Sequence, residues 1–93
     1  MLRNDQPVGL IEEMKKNPAM KIEIAGHTDN VGDANINLQV SQKRASAIKT
    51  YLVEKGISEK RMIAKGYGKT APVGDNNTEE GRSRNRRIEI RML

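Results

Sequence analysis

Two residues of opposite charge, Asp29 and Arg44, carry the most specific chemistry in the sequence. Asp29 stands in the run Gly26 to Asp33 (GHTDNVGD), rich in turn formers and placed just after a stretch that reads as a strand. Arg44 stands in a long helical stretch. At about 100° per residue with Val40 at zero, Ile36, Ala47, Tyr51, Ile48 and Leu52 share a sector from about −40° to 120°, and Arg44 falls inside it at about 40°. An arginine among core-facing positions either reaches out past its neighbours or pairs with an acceptor, because an unpaired buried guanidinium costs several kcal/mol. Ligands of open α/β sheets collect beyond the carboxyl ends of the strands. An Asp and an Arg flanking such a crevice would grip a zwitterion, the carboxylate accepting from an ammonium and the guanidinium donating two bonds to a carboxylate. A salt bridge between Asp29 and Arg44 themselves is the competing reading, and spacing leaves both open.

Other constellations are weaker. His27 is the sole histidine and the chain has no cysteine, so a metal site lacks partners, and His27 is read as a structural or loop residue. Asp29, Asn30 and Asp33 superficially suggest a calcium loop, but the glycine after the third ligand and the downstream bidentate glutamate are absent. Gly66-Tyr67-Gly68 lacks the Lys and Ser/Thr of a phosphate loop. Neither a Ser–His–acid arrangement nor a carboxylate pair stands out, so catalysis is not expected, and no cofactor is implied.

The elements that must position these residues follow from periodicity. Pro7 to Lys16 reads as a helix with Asp5 or Gln6 near its cap and Leu10, Ile11 and Met14 on one face, stopped by Asn17-Pro18. Lys21 to Ala25 alternates as a strand with one buried face. The long helix runs from Ala34 or Ile36 to Glu54 and closes at Lys55-Gly56. Met62-Ile63-Ala64 reads as a second strand ending in the Gly66-Tyr67-Gly68 loop. Thr78 caps a short helix through Asn85, and Ile88 to Met92 alternates as the last strand. This order predicts an α/β (α+β) two-layer sandwich, with helices packed on one face of a small mixed β-sheet. Three strands are few for it, so either an edge strand is missing or the six leading residues substitute for it.

Length and composition agree. Ninety-three residues make one domain, read as a leading segment 1–6 and a folded core 7–93. No apolar run reaches bilayer length, and Met1 to Asn17 lacks a signal peptide's apolar stretch, so the chain reads as soluble. With no Phe or Trp and two Tyr, the core is aliphatic and aromatic stacking sites are not expected. The net charge of +5 is concentrated in residues 82–93, which hold five arginines and one glutamate. Such a stripe is either a solvated face or a binder of phosphates, anionic surfaces or carboxylates. A nucleic-acid or anionic-surface module using residues 82–91 is therefore the alternative function. With Tyr51 on the core side, only Tyr67 is left to stack on a base.

Several separated motifs together resemble one family. They are Gly26-His27-Thr28-Asp29-Asn30-Val31-Gly32; Asn37, Val40-Ser41 and Arg44-Ala45; Gly66-Tyr67-Gly68; and Gly81-Arg82 with Asn85-Arg86-Arg87-Ile88-Glu89. Their order and spacing over residues 8 to 92 resemble the OmpA C-terminal-like peptidoglycan-binding domain. The resemblance implies non-catalytic binding of the peptidoglycan stem peptide. Asp29 would bind the amino group of its diaminopimelate residue and Arg44 the carboxylate, with Asn37 and Arg86 lining the pocket, while Arg82 and Arg87 carry structural weight. It implies a periplasmic anchor of a Gram-negative outer-membrane or envelope protein, whose membrane part lies outside this sequence. Nucleic acid is not an expected partner. Relative to the family's βαβαβ-type pattern the usual first strand is missing, which predicts homodimerisation through an open sheet edge.

Overall fold

The computed structural model describes residues 2–3 and 7–93, with side chains from Gly9 onward. Four strands and three helices follow the order β1 (Leu2–Arg3), α1 (Pro7–Lys16), β2 (Ile22–His27), α2 (Ala34–Glu54), β3 (Met62–Gly68), α3 (Glu79–Asn85) and β4 (Arg87–Met92), with a 3-10 turn at Glu59–Arg61 before β3. The sheet order is β1-β4-β2-β3. β2 runs parallel to β3 and antiparallel to β4, so the sheet is mixed as expected. The leading residues do supply an edge strand, of two residues only. Leu2 pairs with Ile90 and Arg3 with Glu89 of β4, and this corrects the expectation that the first strand is missing. The cap of α1 proposed at Asp5 or Gln6 lies outside the described residues.

Alternation decides which side of each strand meets the helices. Ile22 and Ile24 of β2, Met62 of β3 and Ile90 of β4 are buried in one cluster with Leu10 and Met14 of α1, Ala45 and Leu52 of α2, and Ile57. Their partners in the pleat, Glu23, Lys65, Arg87, Glu89 and Arg91, belong to the opposite face. Two strands run further than the alternation suggested. β2 continues through Gly26 and His27, and β3 takes in Gly66-Tyr67-Gly68, because Gly26 pairs with Gly66 and, after a register shift, His27 with Gly68. Gly66-Tyr67-Gly68, read as a loop, is therefore strand, as are the first two residues of the Gly26 to Asp33 run.

Small residues explain both the extension and the seating of α2. A Cβ on Gly26 would collide with the Ser41 backbone, and one on Gly66 with the backbone of Gln42 and the hydroxyl of Ser41. Helix and sheet approach closely there, and Ser41 and Ala45 are fully buried. The buried stripe of α2 is thus Ser41, Ala45, Leu52 and the partly buried Ile48. It is centred about 110° round from Val40, outside the middle of the expected sector. Ile36 is 59% exposed, Tyr51 lies at the surface, and Arg44 is exposed, so Arg44 is not an arginine set into the core. The apolar sector misled because small residues, and not the large ones, face the sheet.

α2 begins on Asp33, whose carboxylate accepts from the Asn35 and Ile36 amides, and ends at Lys55 followed by Gly56 at φ 98°. Arg61 ties its end of the sheet to α1, donating to the carbonyls of Met14, Asn17 and Met20.

Candidate functional site

The site gathers at the carboxyl end of β2, where the chain turns towards α2. Asp29 follows β2 by two residues, and its side chain is only 12% exposed. Its Oδ1 accepts from the Val31 amide at 3.0 Å, an Asx-type turn that fixes the carboxylate. Its Oδ2 accepts from Arg86 Nη1 at 2.7 Å. The Arg86 hydrogen bond, against the opposing effect of desolvation, holds the Asp29 carboxyl below its usual value, so it is ionised at neutral pH. The partner of Asp29 is therefore Arg86 and not Arg44. Sequence spacing missed this pairing, because the two residues are 57 positions apart.

Asn37 stands one turn into α2 and donates its amide to the carbonyls of Val31 at 3.1 Å and Asp29 at 3.4 Å. It secures the loop that carries Asp29. Arg44 comes seven residues later, about 10 Å along the axis on the same helix face. Among the described residues it makes no ion pair. The loop end of the sheet thus presents a fixed carboxylate, and the helix face beside it presents an uncommitted guanidinium.

Arg86 has a second acceptor. Its Nη2 donates to Glu79 Oε1 at 2.6 Å, and Glu79 also faces Arg82 at 3.3 Å. The Arg86 hydrogen bond holds the Glu79 carboxyl low, and Glu79 and Asp29 together raise the Arg86 guanidinium. Asn85 just before it is buried and fully satisfied. Its Oδ1 accepts from the Val73 and Gly74 amides, and its Nδ2 donates to Gly74 O and Asn76 Oδ1. It fixes the 72–77 loop, and α3 starts immediately after that loop on its Thr78 cap, whose hydroxyl accepts from the Gly81 amide. Arg87 donates to the carbonyls of Ala71 and Asn85 and pairs with Glu89. Arg91 pairs with Glu23 and Glu89. Four of the five arginines in residues 82–93 are in this way bound to carboxylates.

His27 lies at the end of β2, 1% exposed, stacked on Tyr67 with ring centroids 5.4 Å apart. Neither ring nitrogen has a hydrogen-bond partner. Burial, followed by the Arg87 charge, pushes its pKa below the ordinary value, so it is neutral. Among the described residues no cluster of His and carboxylates could hold a metal ion, and no helix is long and apolar enough to cross a membrane.

A family model described as the OmpA family matches residues 5–86, most of the chain, including Asp29, Asn37, Arg44, Glu79 and Arg86. The chain belongs to the OmpA family. Its OmpA-family relatives include outer membrane porin F of Pseudomonas fluorescens, 46% identical over 80 residues, 86% of this chain and 24% of the relative. Peptidoglycan-binding protein ArfA of Mycobacterium tuberculosis is 38% identical over 79 residues, 85% of this chain and 24% of the relative. The chain spans about a quarter of the length of each. Among solved structures, the peptidoglycan-associated lipoprotein of Burkholderia pseudomallei superimposes with a TM-score of 0.89 at 28% identity, covering 99% of this chain and 80% of that one. The OmpA-family fold is thus the fold described here, helices on one face of a small mixed sheet.

Proposed function

We propose that this domain binds peptidoglycan without catalysis, through the diaminopimelate residue of the stem peptide, and anchors an outer-membrane or envelope protein to the cell wall from the periplasmic side. The pairing that carries the reading is an ionised, largely buried Asp29 with an exposed and uncommitted Arg44 on the helix face beside it. Asp29 accepts one hydrogen bond on each oxygen, and a carboxylate has about four acceptor positions, so room remains for an ammonium. Arg44 supplies the two-pronged donor for the carboxylate of the same amino acid. Relatives named as peptidoglycan-binding or peptidoglycan-associated support the same ligand.

Selection rests on two charges at a fixed separation. A ligand with only the amine or only the carboxylate satisfies one end and leaves the other charge stranded. Asp29 and Arg44 are the binding residues, Asn37 positions the loop, and Arg86 holds Asp29 in its ionised state. The nucleic-acid alternative draws less support, because Arg82, Arg86, Arg87 and Arg91 are paired with carboxylates.

The test is calorimetric titration with a soluble stem tripeptide ending in diaminopimelate, and with the same peptide acetylated on the side-chain amine. Binding of the first and loss of the second is expected. Equal affinity for both would refute the pairing of Asp29 with the amine.

A further inference from the structure

Glu79 belongs to no motif singled out above, yet it shares the Arg86 guanidinium with Asp29. Asp29, Arg86, Glu79 and Arg82 form a row of alternating sign, joined at 2.7, 2.6 and 3.3 Å. Asp29 is the end nearest the β2 loop. Arg82 closes the far end and donates its Nη1 to the Asn76 carbonyl.

We propose that Glu79 is a specificity residue, which absorbs the charge of Arg86 and Arg82 so that Asp29 attracts a ligand ammonium and Arg44 alone receives the ligand carboxylate. This rests on the reading of Asp29 as the ammonium partner. A carboxylate paired with one guanidinium is close to neutral as a unit. An ammonium arriving at Asp29 is attracted by the carboxylate and repelled by Arg86 from nearly the same distance. Glu79, on the other nitrogen of that guanidinium, restores the attraction. Without it, Asp29 stands beside two arginines and the row changes from neutral to a net charge of +1.

Orientation depends on the same residue. A zwitterion has one carboxylate, and the site has two guanidinium groups within its span. With Glu79 on Arg86, the unengaged guanidinium is Arg44, so the ligand lies with its amine at the loop and its acid along α2. With Glu79 neutralised, Arg86 competes for the acid and the amine loses its place. Glu79 is 66% exposed and lies outside the buried core cluster, so its substitution should leave the fold intact.

The experiment titrates the stem tripeptide ending in diaminopimelate into the chain and its variants at low ionic strength. Glu79→Gln should weaken binding about three- to fivefold, the scale of an exposed charge pair. Arg82→Gln should strengthen it by a comparable or smaller factor, and the double substitution should bind better than Glu79→Gln alone but below the starting affinity, because Arg86 still lacks its second acceptor. Opposite signs separate charge balance from a structural role, which would weaken binding in both variants. In the ligand-free protein, carbon-detected NMR titration of Asp29 should give a lower midpoint in Glu79→Gln, because Arg86 then belongs to Asp29 alone. Asp29→Ala should abolish binding. If it does, and Glu79→Gln leaves both affinity and the Asp29 midpoint unchanged or both arginine-row variants weaken binding alike, the role of Glu79 is overturned while the site stands. If Asp29→Ala binds as before, the assignment of the site fails and the role of Glu79 fails with it.

Discussion

His27 shows how one side chain sets a pH dependence. Its ring is buried with two nitrogens that find no partner, and burial keeps it neutral. In the unfolded chain the same imidazole takes up a proton below about pH 6.5. The folded state binds fewer protons in that window, so the contribution of neutral His27 to stability is full above about pH 6.5 and is lost as pH falls. Urea unfolding should show a lower midpoint at pH 5.5 than at pH 7.5. His27→Phe should flatten that difference and be at least as stable at pH 7.5, since an apolar ring replaces unpaired polar atoms. An unchanged pH slope in the variant would contradict this role. Asn85→Ala, by contrast, strands the Val73 and Gly74 amides and should cost on the order of 3 kcal/mol in chemical denaturation. At this scale Asp29 stood out from its turn-rich run, whereas Asn37 and Arg86 were named only through the resemblance to the family. The Asp29–Arg86 pair was not legible, since it closes across the fold. Glu79 carried one faint signal, its place two helical turns before Arg86.

Helix α2 and the strands beneath it show why element positions were legible while their faces were not. Periodicity gave α1 and the end of α2 to the residue, and Thr78 announced α3 by its hydroxyl. The face of α2 was misassigned because its large apolar residues were taken as the buried ones. Close approach of backbone to backbone at Gly26 and Gly66 seats Ser41 against the sheet instead, and Arg44 is left at the surface. The usable signal is a small residue in a helix, Ser41, facing a glycine in each of two strands. The same contact explains why Gly66 lies within a strand. Ser41 and Gln42 of α2 bind the Gly68 and Gly66 amides, closing part of the outer edge of β3. Gly66→Ala forces a methyl into the Gln42 backbone and should destabilise by about 1–3 kcal/mol, measured by denaturant midpoint. A variant as stable as the parent would mean that helix and sheet part without cost.

For the whole molecule, the arginine-rich end is the clearest case of composition read without structure. Five arginines in twelve residues suggest a basic surface, whereas four of them are bound by carboxylates that the fold brings alongside. The α/β architecture was legible from element order alone. The edge strand was left open between two readings, and Leu2 and Arg3 decide it by pairing with Ile90 and Glu89. Among the described residues these are the only two paired with the outer edge of β4, and we propose that two copies associate along it. Light scattering after size exclusion should give a mass that rises with concentration towards a dimer, and a constant monomer mass would rule this out. The central claim, that Asp29 and Arg44 hold the wall peptide between them, is tested most directly by co-sedimentation with insoluble peptidoglycan containing diaminopimelate, comparing the chain with Asp29→Ala and Arg44→Ala at two salt concentrations. Each substitution should cost about 2–4 kcal/mol of binding, a loss of roughly thirtyfold or more, with modest sensitivity to salt. Binding that survives both substitutions, or a folded parent chain that stays in the supernatant, would contradict it.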